Sequence, residues 1–143
     1  MNKRKTGLLR RFGAMAYDAL LVLAILFFTT IPFVAMRGGE AVSADDNLAY
    51  RACLGMVVYA FFVGHWSLRG RTLGMQSWGL RVETPAGDLP TFTQATGRFL
   101  AAIVSLLPLG LGFFWQLVDQ DRLTWHDRLS RTHLVQYPRP TLR

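Results

Sequence analysis

The sequence predicts an all-α membrane protein: two transmembrane helices, a third apolar segment, and a short cytoplasmic two-strand element. Three observations carry that expectation. Hydrophobic residues make up 51% of the 143 residues and charged residues only 17%, with a mean hydropathy of +0.23, which is too apolar for an ordinary soluble chain of this size. Three uncharged or nearly uncharged runs, about 12–35, 48–68 and 99–118, reach the length of about 20 residues that one crossing needs. Basic residues flank those runs, so the net charge of +7 is accounted for by orientation and by anionic headgroups of the lipid bilayer. No nucleic-acid-binding motif accompanies the charge, and nucleic acid is not an expected partner. A single domain over 1–143 is expected, with no repeats or low-complexity linkers to divide it.

Residues 1–11 hold five basic and no acidic side chains, which places the N-terminus on the cytoplasmic side. The run that follows is longer than the about 7–15 residues of a signal-peptide core, and no small-x-small cleavage site comes after it, so it reads as a first span over 12–35. Pro32 is expected to end or kink that helix near the far side. The loop after Ala35 has one basic and three acidic residues among the named charges Arg37, Glu40, Asp45 and Asp46, the balance of a non-cytoplasmic loop. Asp45, Asp46 or Asn47 then caps a second span over about 48–68. Arg51 lies one turn inside it, near enough to snorkel outward, and Trp66 at the opposite end reads as an interfacial belt residue.

The connector 69–97 changes character. Arg69 to Leu80 is basic, glycine-punctuated and amphipathic, which suits a short interfacial helix. Leu80 to Thr84 alternates apolar and polar as a half-exposed strand does, and Pro85-Ala86-Gly87-Asp88 is a turn. Thr91-Phe92-Thr93-Gln94 has the spacing of a capping box, so a helix starts there and runs through Arg98 into the third run. That run is flanked by arginines on both sides, and Leu107-Pro108-Leu109-Gly110 interrupts it. A Pro-broken re-entrant hairpin, one helix to about Leu107 and another from Gly110 to Asp119, keeps both flanks cytoplasmic; the alternative is a single third span over about 95–118. In the tail, 119–143, Thr124-Trp125-His126-Asp127 starts like a capped short helix. Thr132 to Tyr137 reads as a strand whose natural partner is Leu80 to Thr84.

Chemistry is scarce along the chain. It has no phosphate-cradling loop, no dinucleotide fingerprint and no nucleophile elbow, and His65, His126 and His133 lack metal-ligand spacing. Neither an enzyme, a cofactor nor a metal site is expected. Cys53 is the single cysteine and reads as a small apolar packing residue. Asp18 stands out, because apart from the Tyr17 phenol it is the one ionisable group between Phe12 and Ala35. A carboxylate at membrane depth costs roughly 2.5–3.5 kcal/mol on insertion scales, so it is expected to face protein or water.

Four pieces in order resemble the signature of the RDD family of small bacterial membrane proteins: Arg11, Ala14 and Asp18; Gly70-Arg71-Thr72-Leu73-Gly74; Arg98; and His126-Asp127. The chain departs from the pattern at Met75, where members often carry lysine, and at Ser130-Arg131-Thr132, where they often carry small-Gly-Thr. The resemblance implies a multi-pass protein of the bacterial inner membrane and a candidate role in moving a small ligand, with sodium/proton exchange among the family's associations. Arg11 and Asp18 lie about 10 Å apart along one helix face, so each is expected to find a different partner: Asp18 with Arg98, and Arg11 with Asp127. Arg51 and His126 are secondary candidates. So few apolar segments imply a homo-oligomer if the protein transports anything. The competing expectation is a membrane scaffold in which the same charges only hold the fold together and a protein partner docks.

Overall fold

The computed structural model describes the backbone of residues 4–43, 47–106, 111–121 and 123–137. Two helices dominate it. Helix α1 spans Leu8–Met36 and α2 spans Leu48–Arg69; both are long and apolar enough to cross a membrane, with best-window mean hydropathies of 2.5 and 1.4. Helix α1 begins four residues before the apolar run, so Arg10 and Arg11 ride on its first turns. It continues four residues past Pro32 instead of ending there. Thr29 and Thr30 turn their hydroxyls onto the carbonyls of Ile25 and Leu26 at 2.8 Å. Asn47 caps α2, its side-chain oxygen accepting from the Tyr50 N–H at 2.9 Å; Asp45 and Asp46, the other expected caps, lie outside the described residues. Gly70, with φ of +67°, ends α2 in the left-handed region that glycine favours.

The remaining elements gather at one end of the α1–α2 pair. They are the short helix α3 (Leu73–Ser77), strand β2 (Leu80–Glu83), helix α4 (Phe92–Leu106), helix α5 (Leu111–Phe114) with a 3-10 turn at Trp115–Leu117, helix α6 (Trp125–Leu129) and strand β3 (His133–Gln136). Strands β2 and β3 pair antiparallel with Leu80 opposite Gln136 and Glu83 opposite His133, as the alternation predicts. A further two-residue strand, β1 (Arg4–Lys5), adds to the free edge of β3, giving the order β1-β3-β2. The N-terminus, connector and tail therefore share one small sheet. The expected capping box forms between Thr91 and Gln94 at the head of α4, and a second one joins Thr124 and Asp127 at the head of α6.

The third apolar run is not one continuous helix. Helix α4 packs against α5, and Gly112 lies so close to Ser105 that a Cβ there would stand 2.6 Å from the Ser105 Cβ. In a straight helix those two residues would be about 10 Å apart along the axis. Pro108, where the sequence leads one to expect the break, lies outside the described residues. Past it, the Phe114 ring reaches the Phe12 ring of α1, centroids 6.0 Å apart. The core sits where all these elements meet, built on Ala14, Val63, Trp66, Leu80, Val82, Ala95 and Leu134, while Tyr59 bonds Thr96 at 2.8 Å and sets its ring edge-on to Phe99, holding α4 to α2.

Candidate functional site

Two buried carboxylates organise the end of the molecule that carries the sheet. The first is Asp127 in α6, with no exposed side-chain surface. Its Oδ2 accepts from Arg11 Nη1 at 2.9 Å and its Oδ1 from Arg98 Nη1 at 2.6 Å. The Thr124 N–H donates to the same Oδ2 at 3.1 Å, which completes the capping box. Three chain segments far apart in sequence are thereby fixed to one residue. Arg98 Nη1 also donates to Thr132 Oγ1 at 2.9 Å, beside β3, and its guanidinium carbon lies 5.3 Å from the centre of the Trp66 ring. Trp66 is only 6% exposed: it is a core residue stacked on Arg98, not the belt residue its position at the helix end suggests.

The second carboxylate is Asp18, one turn and more along α1. It is buried, and its partners are neutral. Oδ2 accepts from Thr72 Oγ1 at 2.5 Å and Oδ1 from the Gly74 N–H at 2.8 Å. Thr72 is the N-cap of α3, its hydroxyl also accepting from the Met75 N–H at 3.2 Å, so Asp18 sits at the start of that helix and holds it against α1. Gly74 permits the approach: a Cβ there would stand 2.3 Å from the Ala14 carbonyl oxygen and 2.8 Å from Asp18 itself. Gly13, one residue earlier on α1, likewise leaves room for the Trp78 ring.

The expected pairing of Arg11 with Asp127 is present. That of Asp18 with Arg98 is not; among the described residues no basic side chain comes within ion-pair distance of Asp18. The reason is the direction in which α4 arrives. Arg98 points into the tail, where Asp127 and Thr132 wait, and the connector reaches Asp18 first. Arg51 is exposed on α2, away from both carboxylates. His126 belongs to the cluster: it is buried, with Nε2 2.9 Å from Thr124 Oγ1 and 3.9 Å from Asp127 Oδ1. Thr72, Gly74 and Thr132 were not singled out by the sequence as contacts, although Thr72 and Gly74 belong to the Gly-Arg-Thr-Leu-Gly stretch and a cap followed by a close-packing glycine is a readable signal.

Electrostatics follow from burial. Burial pushes the His126 imidazole down, the Arg98 charge adds to that, and together they lower it to about 3, so it is neutral at pH 7. Burial alone would raise Asp127, but the facing charges of Arg98 and Arg11 outweigh it and hold the carboxyl well below the usual carboxylate range. Asp119, nearer the surface, is lowered by the Leu123 N–H and by Arg128, which bonds its Oδ1.

Between α1, α2 and α4 a half-open cavity of about 480 Å³ rises from this end. Its walls are apolar, with Val22, Val58, Phe62, Phe99 and Ile103 among them, and Met75 of α3 and Leu80 of β2 contribute to its base. Four polar residues line it as well: Arg11, Asp18, Arg98 and His126. Among the described residues no three His, Cys, Asp or Glu side chains are grouped so that they could hold a metal ion.

Two apolar helices of spanning length, lashed to a connector and a tail by buried arginines and aspartates, define a small helical membrane protein. The chain belongs to the RDD family, whose model matches residues 5–131. No curated protein and no solved structure matches it.

Proposed function

We propose that this protein is a membrane carrier of a small ligand, coupled to a cation or proton through Asp18, and that it works as a homo-oligomer. The observation behind the reading is the cavity, which places on an apolar wall a buried carboxylate whose hydrogen-bond donors, Thr72 Oγ1 and the Gly74 N–H, are both neutral. A carboxylate held by a hydroxyl and a backbone N–H can exchange those partners for an ion or a proton at modest cost, whereas one locked between two guanidiniums cannot. In this reading the membrane is the bacterial inner membrane and the N-terminus is cytoplasmic. The third run dips in and returns as a re-entrant hairpin; the approach of Gly112 to Ser105 and of Phe114 to Phe12 supports that course. The basic flanks rest on anionic headgroups, and the protein carries out no covalent chemistry.

The deciding experiment is ion flux in liposomes containing the purified protein, with sodium, potassium and protons tested separately. Asp18→Asn is expected to abolish cation-dependent proton movement while the protein stays folded. Undiminished flux in that variant, or none in the wild type, overturns the carrier reading. A specific observation favours a second reading, a membrane scaffold: each of Arg11, Asp18, Arg98 and Asp127 already takes part in a bond that fixes the fold. Under it there is no flux to lose, and the sheet and its basic surroundings dock a protein partner.

A further inference from the structure

The cavity carries more information about its occupant than its volume. It lies within the size range of pockets that hold one small ligand, and its long walls are hydrocarbon between three helices. At the base the chemistry changes. Arg98 is 2% exposed and lines the cavity, yet it donates to Asp127 and Thr132 from Nη1, and its Nε–H is buried with no acceptor among the described residues. Trp66, stacked on Arg98 and lining the same cavity, also has a buried indole N–H with no acceptor there. Two neighbouring donors without acceptors are costly to bury, and one is on a guanidinium. What they lack is an oxygen acceptor, preferably an anionic one; both nitrogens lie just beneath the accessible surface, so a ligand oxygen meets them as the Arg98 and Trp66 side chains turn towards the cavity.

We infer that the cavity binds a single-chain anionic amphiphile, its acyl chain between α1, α2 and α4 and its oxyanion head at the Arg98–Trp66 pair. This rests on the carrier reading above and names the class of ligand. The other charged and titratable groups on the wall are consistent with it. Arg11 adds a second cation, and His126 is a neutral imidazole. Among the described residues Asp18 is the one acid on the wall, and both its oxygens already accept from Thr72 and Gly74, so the head belongs at the arginine end. A two-chain lipid exceeds the volume of about 480 Å³, and a bare ion leaves the apolar walls uncovered. Carboxylate and phosphate heads present the same acceptor chemistry, and the test separates them.

The test is quenching of tryptophan fluorescence in the purified full-length protein by three brominated single-chain probes of equal chain length: a carboxylic acid, a monoalkyl phosphate and a neutral alcohol. Trp66 lies in the cavity, and Trp66→Phe is expected to remove the saturable part of the signal. At least one anionic probe should quench saturably and bind tenfold or more tightly than the alcohol, and whichever anion does so identifies the head. Ala102→Phe, which adds a ring at an uncharged residue of the cavity wall, should abolish saturable quenching in a protein with unaltered circular dichroism. Arg98→Lys keeps the charge beside Asp127 but removes the Nε–H, and should weaken the anions more than the alcohol. Equal quenching by all three probes, or saturable quenching that survives Ala102→Phe, overturns the inference. Saturable anion binding without ion flux leaves the inference standing and sinks the coupled-carrier reading; flux without anion binding does the reverse.

Discussion

Asp18 and Asp127 are both buried carboxylates, and each ties α1 or its neighbours to a distant part of the chain, but the chemistry that holds them differs. Asp127 sits among charges: two guanidiniums converge on it, its own helix cap uses one of the same oxygens, and its protonation is suppressed. Asp18 sits among neutral donors, the hydroxyl of the residue that caps the short helix α3 and one backbone N–H from its first turn. The first arrangement is a fixed junction of three segments. The second is a contact between a spanning helix and a small amphipathic one, and it is expected to open without unfolding the rest. The difference teaches that two acids equally prominent in a sequence need not share a role, because what converges on each decides how readily it changes state.

The largest predicted effect falls on the first region. Asp127→Asn leaves two buried guanidiniums facing an amide and should cost about 3–5 kcal/mol of stability in detergent. Asp18→Asn keeps an acceptor oxygen and should cost only about 1 kcal/mol; chemical unfolding of the two variants side by side checks the ratio, and equal losses would break the contrast. Gly74→Ala comes next, since the new methyl meets the Ala14 carbonyl and Asp18. It should cost about 1–3 kcal/mol and make the connector near α3 sensitive to protease while the sheet stays protected.

Acid should weaken the Asp127 region in particular. The folded His126 has its pKa lowered to about 3 from an ordinary 6.5, so between those values the unfolded chain binds more protons than the folded one. Stability is therefore fully present above pH 6.5 and falls as the pH drops towards 3. Asp127, also lowered, has an ordinary value of 3.8 and adds a loss of the same sign below it. Unfolding midpoints measured from pH 7 to 4 should fall in the wild type and fall less steeply in His126→Gln. The smallest effect is a gain. Arg131 adopts φ of +52°, the left-handed conformation that costs an ordinary residue about 1–2 kcal/mol. Arg131→Gly should raise stability by up to about 1 kcal/mol, read from the thermal midpoint.

Local structure was largely readable from the sequence, and contacts between distant segments were readable only in part. Caps announce themselves: Asn47, Thr91 and Thr124 each sit where a polar side chain precedes an apolar helix, and each caps as expected. The pattern of Leu80 to Thr84 and of Thr132 to Tyr137 reads as two strands with a natural mutual partner, and Leu80–Glu83 and His133–Gln136 within them pair. Helix α1 starts four residues before the expected span and runs through Pro32 to Met36, because an apolar run marks what a membrane would cover and not where hydrogen bonding begins and ends. The Arg11–Asp127 contact followed from charge and order along the chain. The partner of Asp18 did not, since which side of α4 turns towards the tail is set by packing of Tyr59, Phe62 and Phe99 rather than by spacing. Trp66 was misplaced for the same reason: an aromatic residue near a helix end has the same sequence signature at a lipid interface and over a buried guanidinium.

Residue-resolved amide hydrogen exchange on Asp18→Asn in detergent tests the separation of the two regions most directly. The account predicts faster exchange at Gly74 and Met75, whose N–H groups depend on Asp18 and on the cap beside it, with the amides of α6 and β3 protected as in the wild type. Faster exchange in α6 and β3 to the same degree as at Gly74 would contradict it, because the two carboxylates would then belong to one cooperative unit.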